Sequence, residues 1–261
     1  MRLYFAGAEN KIAYSNLERV GVDFILMSYY YLRNKKGHYN WNKIFLDSGG
    51  YSVRISKKKI DRQKYIDGYI KFIKDNNVPV YANLDMETYE ETIQNQRYME
   101  SKGLLPIPVY HYSEFRLKKY RTIIDDYCKK YPMVALGGVA GANIPKKNIR
   151  IYLSYCFGIA KKYGTKLHGF GITDNKLLKI YPFFSVDSTS WQAGSRYGLF
   201  YQFIRGRIIQ KNFFKKARRG TTDGKVIDRW NLVQWNKFAK HLEEKDEIQK
   251  IKNKYVKTKR I

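Results

Sequence analysis

An α/β fold built on a parallel sheet and closed as a (β/α)8 barrel is the class this sequence predicts, and three observations carry it. Eight short apolar runs recur within the first 190 residues. Amphipathic stretches at helical spacing separate most of them, and strands alternating with helices imply right-handed crossovers between parallel neighbours. No Gly/Ser-rich linker interrupts the series before residue 190, so the eight units belong to one domain.

The apolar runs fall at residues 3–6, 24–28, 44–47 and 78–85, then 105–110, 133–136, 167–171 and 183–187. Helical patterns lie at 61–74, 88–102, 113–130, 145–163 and 174–181. The link over 29–42, between the second and third runs, has a loop-like composition and is the weakest part of the count. Eight units favour a closed barrel over an open doubly wound sheet. Residues 1–190 are thus expected to form the barrel, and 191–261 a basic appendage of a hairpin followed by a helix over about 228–254.

Composition narrows the function classes. Fifty Lys and Arg against 23 Asp and Glu leave a formal charge of +27, more than solubility requires. From residue 196 onward there are 19 basic and 6 acidic side chains, so nearly half of the excess lies in the last quarter. There Arg205, Arg207, Lys215, Lys216, Arg218 and Arg219 flank the aromatic pair Phe213–Phe214. Basic groups interleaved with aromatics suit a surface that holds phosphates and stacks unpaired bases. Two cysteines, Cys128 and Cys156, cannot form a disulfide framework or a four-thiolate zinc site, and a reducing compartment is expected. Met1–Phe5 begins a strand rather than a signal peptide, and no run reaches the length of a membrane span, so a cytoplasmic location is expected.

Barrel chemistry sits at the C-terminal ends of the strands. Those positions hold Asp47-Ser48-Gly49-Gly50-Tyr51, Asp85, Tyr110-His111, Gly137-Gly138, His168-Gly169 and Asp187. Three aspartates on one rim suit hard-cation binding or work at a sugar C1′, where one carboxylate attacks and another handles protons. No histidine is read as near a carboxylate at ligand spacing, which weakens the metal class, and no metal or cofactor is expected. The paired glycines remove side chains so that backbone groups can approach a flat base edge, with Tyr51 offering a stacking face.

These segments also resemble a known family. Asp47-Ser48-Gly49-Gly50-Tyr51-Ser52 resembles the Asp-Ser-Gly-Gly-aromatic signature of the tRNA-guanine transglycosylases. Leu136-Gly137-Gly138-Val139-Ala140 is similar to that family's Gly-Gly-Leu-Ala segment, and His168-Gly169-Phe170-Gly171 to its Met-Gly-Val-Gly strand end. Asp187 sits where the family carries its nucleophile, and the matches run in family order over roughly residues 44–198. Among its branches the chain looks most like the short phage and bacterial paralogues that insert 7-deazaguanine bases into DNA.

The resemblance implies a barrel that exchanges guanine for a free 7-deazaguanine base without breaking the strand. Asp187 would attack C1′, and Asp47 would transfer protons or hold the purine. Asp85 would accept from the N–H edge of the base, Gly137 and Gly138 would offer backbone groups, and Tyr51 would stack. Tyr110 or His111 falls near the family's glutamine, and His168 near its stacking methionine. The family's Cys-x-Cys-x-x-Cys…His zinc site is absent after Asp187, which favours DNA, duplex or single-stranded, over tRNA as the acceptor. Arg196, shortly after the nucleophile, would meet a phosphate. A hydrolytic glycosylase, a tRNA enzyme and a non-catalytic nucleic-acid-binding barrel are the competing expectations; a partner protein and the oligomeric state stay open.

Overall fold

Alternation of side chains along short strands decides where the core lies, because successive residues of a strand face opposite sides of its sheet. The computed structural model describes residues 1–35, 37–56, 60–140, 143–211 and 222–258. In chain order, β1 (Arg2–Ala6) leads to α1 (Lys11–Val20), and β2 (Ile25–Ser28) to the single turn α2 (Tyr29–Leu32). Then β3 (Ile44–Asp47) leads to α3 (Gly50–Ile55) and α4 (Arg62–Asp75), and β4 (Val80–Tyr81) to α5 (Tyr89–Ser101). Next come β5 (Val109–His111), α6 (Tyr112–Arg116) and α7 (Ile123–Lys130), then β6 (Met133–Gly137) with α8 (Lys146–Tyr163). The series continues with β7 (Lys166–Gly169), α9 (Asn175–Ile180) and β8 (Ser185–Ser188). After β8 follow α10 (Ala193–Tyr197), the hairpin strands β9 (Phe200–Ile204) and β10 (Arg207–Lys211), and the long helix α11 (Thr222–Thr258).

The first eight strands form one parallel sheet in the order β4-β3-β2-β1-β8-β7-β6-β5. Between β4 and β5 the ladder reduces to one parallel bridge, Ala82 to Ile107. There Asn83 N donates to Ile107 O (2.9 Å) and Ile107 N to Tyr81 O (3.0 Å). Tyr4, Ala6, Leu26, Phe45, Ala82, Val109 and Ala135, from five of these strands and the bridge residue, share a buried cluster on the sheet's concave side. Their strand neighbours Leu3, Phe5, Ile25, Leu46, Tyr110 and Leu136 instead pack under the helices. The sheet is therefore curled, with two apolar layers generated by period-two alternation.

Local rules place the helix ends. Thr88 Oγ1 accepts from Glu91 N (3.2 Å) at the start of α5, and Asp174 Oδ1 from Lys176 N (2.7 Å) at the start of α9, as expected of N-caps. The helix expected over 113–130 is instead broken into α6, a 3-10 turn and α7. In the break, the Arg121 carbonyl accepts from the hydroxyls of Tyr110 (3.0 Å) and Tyr155 (3.1 Å) rather than from a helical N–H.

The division expected at residue 190 is not a boundary of packing. Leu232, Trp235, Phe238, Ala239 and Leu242 of α11 belong to the same buried cluster as Leu3 of β1 and Leu17 of α1. Asn236 Nδ2 donates to the last carbonyl of α1, Val20 O (3.0 Å), and the Met1 ammonium donates to Leu242 O (3.3 Å). Helix α11 thus takes the place of the layer helix after β8, and the hairpin is an insertion ahead of it. Among the described residues no helix is long and apolar enough to cross a membrane.

Candidate active site

Inward-facing parity at the strand ends brings the expected carboxylates together. On β3, Phe45 points to the inner cluster, so Asp47 two residues on points the same way. On β8, Asp187 is buried beside Tyr4 in register. Its Oδ1 accepts from Gly171 N (2.8 Å), at the end of the neighbouring β7 segment, and lies 3.4 Å from His168 Nε2. Asp47 Oδ2 accepts from Gly49 N (3.0 Å). Burial, then the charges of Asp85, Asp187 and Glu9, outweigh that hydrogen bond and push the Asp47 carboxyl up to about 8. At neutral pH Asp47 therefore carries a proton.

The sign of the stability effect follows. Between the unfolded value near 4 and the folded value of about 8, the native state binds the extra proton, so Asp47 erodes stability progressively as pH rises through that window. Asp47→Asn removes the titration. Its melting temperature should match wild type near pH 5 and exceed it by several degrees near pH 8.5, where the folded wild type has released this proton. Parallel pH profiles for the two proteins would show that Asp47 is not the proton-holding group.

Asp85 is held differently. Its Oδ1 accepts from Ser48 Oγ (3.2 Å) and its Oδ2 lies 2.9 Å from His111 Nε2. His111 in turn places Nδ1 3.5 Å from Glu114 Oε1, while its backbone N donates to Glu114 Oε2 (2.7 Å). Burial disfavours the imidazolium, but hydrogen bonds to Asp85 and Glu114 prevail and hold His111 up to about 10. Burial likewise opposes the Asp85 carboxylate, and the His111 bond and charge keep it below its ordinary range. Asp85 and His111 thus form an ion pair, with the second ring nitrogen turned to Glu114.

Glu114 was not expected at this site, and it corrects the reading that no histidine stands near a carboxylate. The signal was present: His111 and Glu114 are three apart, the spacing of a capping box, here at the start of α6. Glu9, directly after β1, is a further acid at this rim; its Oε1 accepts from Ser28 N (3.0 Å).

The glycines and neighbouring aromatics take other roles than expected. A Cβ on Gly50 would lie 2.0 Å from Asp85 O, and one on Gly137 would lie 2.6 Å from His111 Cδ2. Gly138 approaches the Tyr112 backbone, and a Cβ on Gly49 would meet Tyr30 and Ser28. The missing side chains therefore let the site's own loops pack closely, rather than leaving room for a base edge. Tyr110 and Gly169 face outward: Tyr110 is fully buried with its hydroxyl on Arg121 O, and Phe183 covers Gly169. His168 is fully buried, with Nδ1 2.9 Å from Ser185 Oγ and its ring ringed edgewise by Tyr4, Phe45 and Phe170. It underlies Asp187 and presents no face to a base. Tyr51 is 64% exposed, with the Arg54 guanidinium 5.6 Å from its ring centroid, and remains free to stack.

Of the basic groups, Arg196 stands on the rim, where it donates to Gln192 Oε1 (2.6 Å) while Gln192 Nε2 donates to Gly7 O (2.8 Å). Arg205 does not. Its hairpin turn lies against His241, beside the Leu242 carbonyl that accepts from Met1, at the end of the sheet opposite the aspartates. Arg207 is exposed on β10. Lys215, Lys216, Arg218, Arg219, Phe213 and Phe214 lie outside the described residues.

No family model matches the chain. It is similar to an uncharacterized protein, protein 306, of Sulfolobus islandicus rod-shaped virus 1, with 28% identity over 178 residues. The match covers 64% of this chain, which spans about half (54%) of the viral protein's length.

Proposed function

We propose that this chain is a (β/α)8-barrel glycosyl-transfer enzyme of the guanine transglycosylase type, exchanging guanine in DNA for a 7-deazaguanine base. The observation that carries this reading is the pair of inward carboxylates at the ends of β3 and β8, with Asp47 proton-bearing at neutral pH. Closure of the barrel is supported by the bridge between Ala82 and Ile107.

In the proposed reaction a flipped guanosine enters the rim, since a stacked base is out of reach. An Asp187 oxygen forms a bond to C1′ as the C1′–N9 bond breaks, and Asp47 gives its proton to the departing guanine. The incoming deazapurine then returns a proton to Asp47 as its ring nitrogen displaces Asp187, which restores both carboxyl groups. Asp85, fixed by Ser48 and His111, keeps lone pairs for base N–H groups, and Tyr51 supplies the stacking face. Similarity to a viral protein fits a virus-encoded modifier working in the cytoplasm of its host.

The test is incorporation of labelled guanine or 7-deazaguanine into duplex DNA, single-stranded DNA and tRNA. Incorporation into DNA is the expected result. Incorporation into tRNA alone would transfer the activity to RNA, and none into any acceptor, with nucleic acid bound, would refute base exchange.

A further inference from the structure

Resting on the reading of a nucleic-acid substrate, we infer that the strand carrying the target base is held in a basic groove between α8, α9 and the β9–β10 hairpin. A groove of about 630 Å³ there is lined by Lys146, Lys176, Lys179 and Arg207, together with Tyr201. It shares Lys146, Thr173, Asp174 and Lys176 with an adjoining cavity of about 170 Å³. That cavity adds Arg150 and reaches Gly171, whose N–H binds the Asp187 carboxylate. The two spaces share a wall, and the smaller one ends at Gly171, one hydrogen bond away from the proposed nucleophile.

Four cations line this one groove and a fifth lines the cavity beside it, so positive charge is gathered around a concave space. Some exposed cations sit against acids, among them Lys71 on Asp75 (2.8 Å), Lys130 on Glu100 (2.9 Å) and Lys162 on Asp125 (3.3 Å). Among the described residues none of the five groove cations has a carboxylate oxygen within 4.0 Å. The one acid lining the groove, Asp174, has an oxygen committed to the N–H groups of Lys176 and Leu177. Five unneutralised cations in a row attract a polyanion, and binding releases its condensed counterions. The occupant is a DNA single strand whose phosphates contact these cations while Tyr201 lies beside its bases.

The experiment is fluorescence anisotropy of a labelled single-stranded DNA 20-mer as a function of salt, using the full chain. Lys146→Gln/Lys176→Gln/Lys179→Gln should weaken binding about tenfold or more and lower the slope of log K against log salt by about 2. A control, Lys71→Gln/Lys130→Gln/Lys162→Gln, loses the same charge from paired sites and should bind within twofold of wild type. Arg207→Gln alone should weaken binding by a smaller factor, which guards against a triple variant that fails to fold. Equal losses in both triple variants, or wild-type binding by the groove variant, would overturn the groove, as would tighter binding of the matching RNA 20-mer. Exchange activity is scored separately: groove-dependent binding without exchange refutes the enzyme reading alone, and exchange with groove-independent binding refutes the groove alone.

Discussion

Asp187→Asn should lower base exchange by at least roughly 10³-fold while leaving DNA affinity within twofold of wild type. The residue is 7% exposed at the end of β8, and asparagine matches its shape, so the oxygen that accepts from Gly171 N can be kept. What is lost is the negative charge and nucleophilicity of the second oxygen. Because the cations proposed to hold phosphates lie beyond this residue, binding and chemistry separate in this variant. The measurement is a single-turnover exchange rate beside an anisotropy titration. Exchange at wild-type rate would remove Asp187 from the role of nucleophile.

Gly50→Ala is the change with the largest expected effect on the fold of the site. The added carbon would lie 2.0 Å from the Asp85 carbonyl oxygen and 2.9 Å from its Oδ1. Backbone cannot yield as a flexible side chain can, so the Asp85 loop must move. Movement breaks the bonds that Asp85 accepts from Ser48 (3.2 Å) and His111 (2.9 Å) and leaves a buried ion pair incompletely matched. A destabilisation of about 2–4 kcal/mol, or roughly 5–15 °C in melting temperature, is expected. Gly158→Ala in α8 is the contrast, because nothing lies within 4 Å of its added carbon. There alanine should be neutral or stabilising by up to about 1 kcal/mol. Equal melting temperatures for Gly50→Ala and wild type would show that the two loops do not depend on that contact.

Much of the strand framework and the aspartate rim was legible because both depend on short-range pattern. Each of the eight apolar runs overlaps a strand of the parallel sheet, and Asp47 and Asp187 reach the rim by the same alternation that buries Phe45 and Tyr4. The row Asp85–His111–Glu114 was legible only in halves. The His111–Glu114 half is a local capping arrangement, whereas Asp85 and His111 are 26 residues apart and meet only once β4 and β5 lie together.

What the sequence determined by itself, then, is whatever a period of two or a capping spacing encodes: strand positions, the inward direction of Asp47 and Asp187, and the starts of α5 and α9. Only the tertiary structure decided that α11 packs against β1 and α1, more than 200 residues earlier in the chain, instead of forming an appendage. It also decided that the paired glycines pack against Asp85 and His111, that Arg205 lies far from the rim, and that Lys146, Lys176, Lys179 and Arg207 line one groove. The physical reason is common to all of these. Alternation sets the side of a strand on which a residue stands, but which neighbour it then meets depends on contacts whose closure no local spacing specifies.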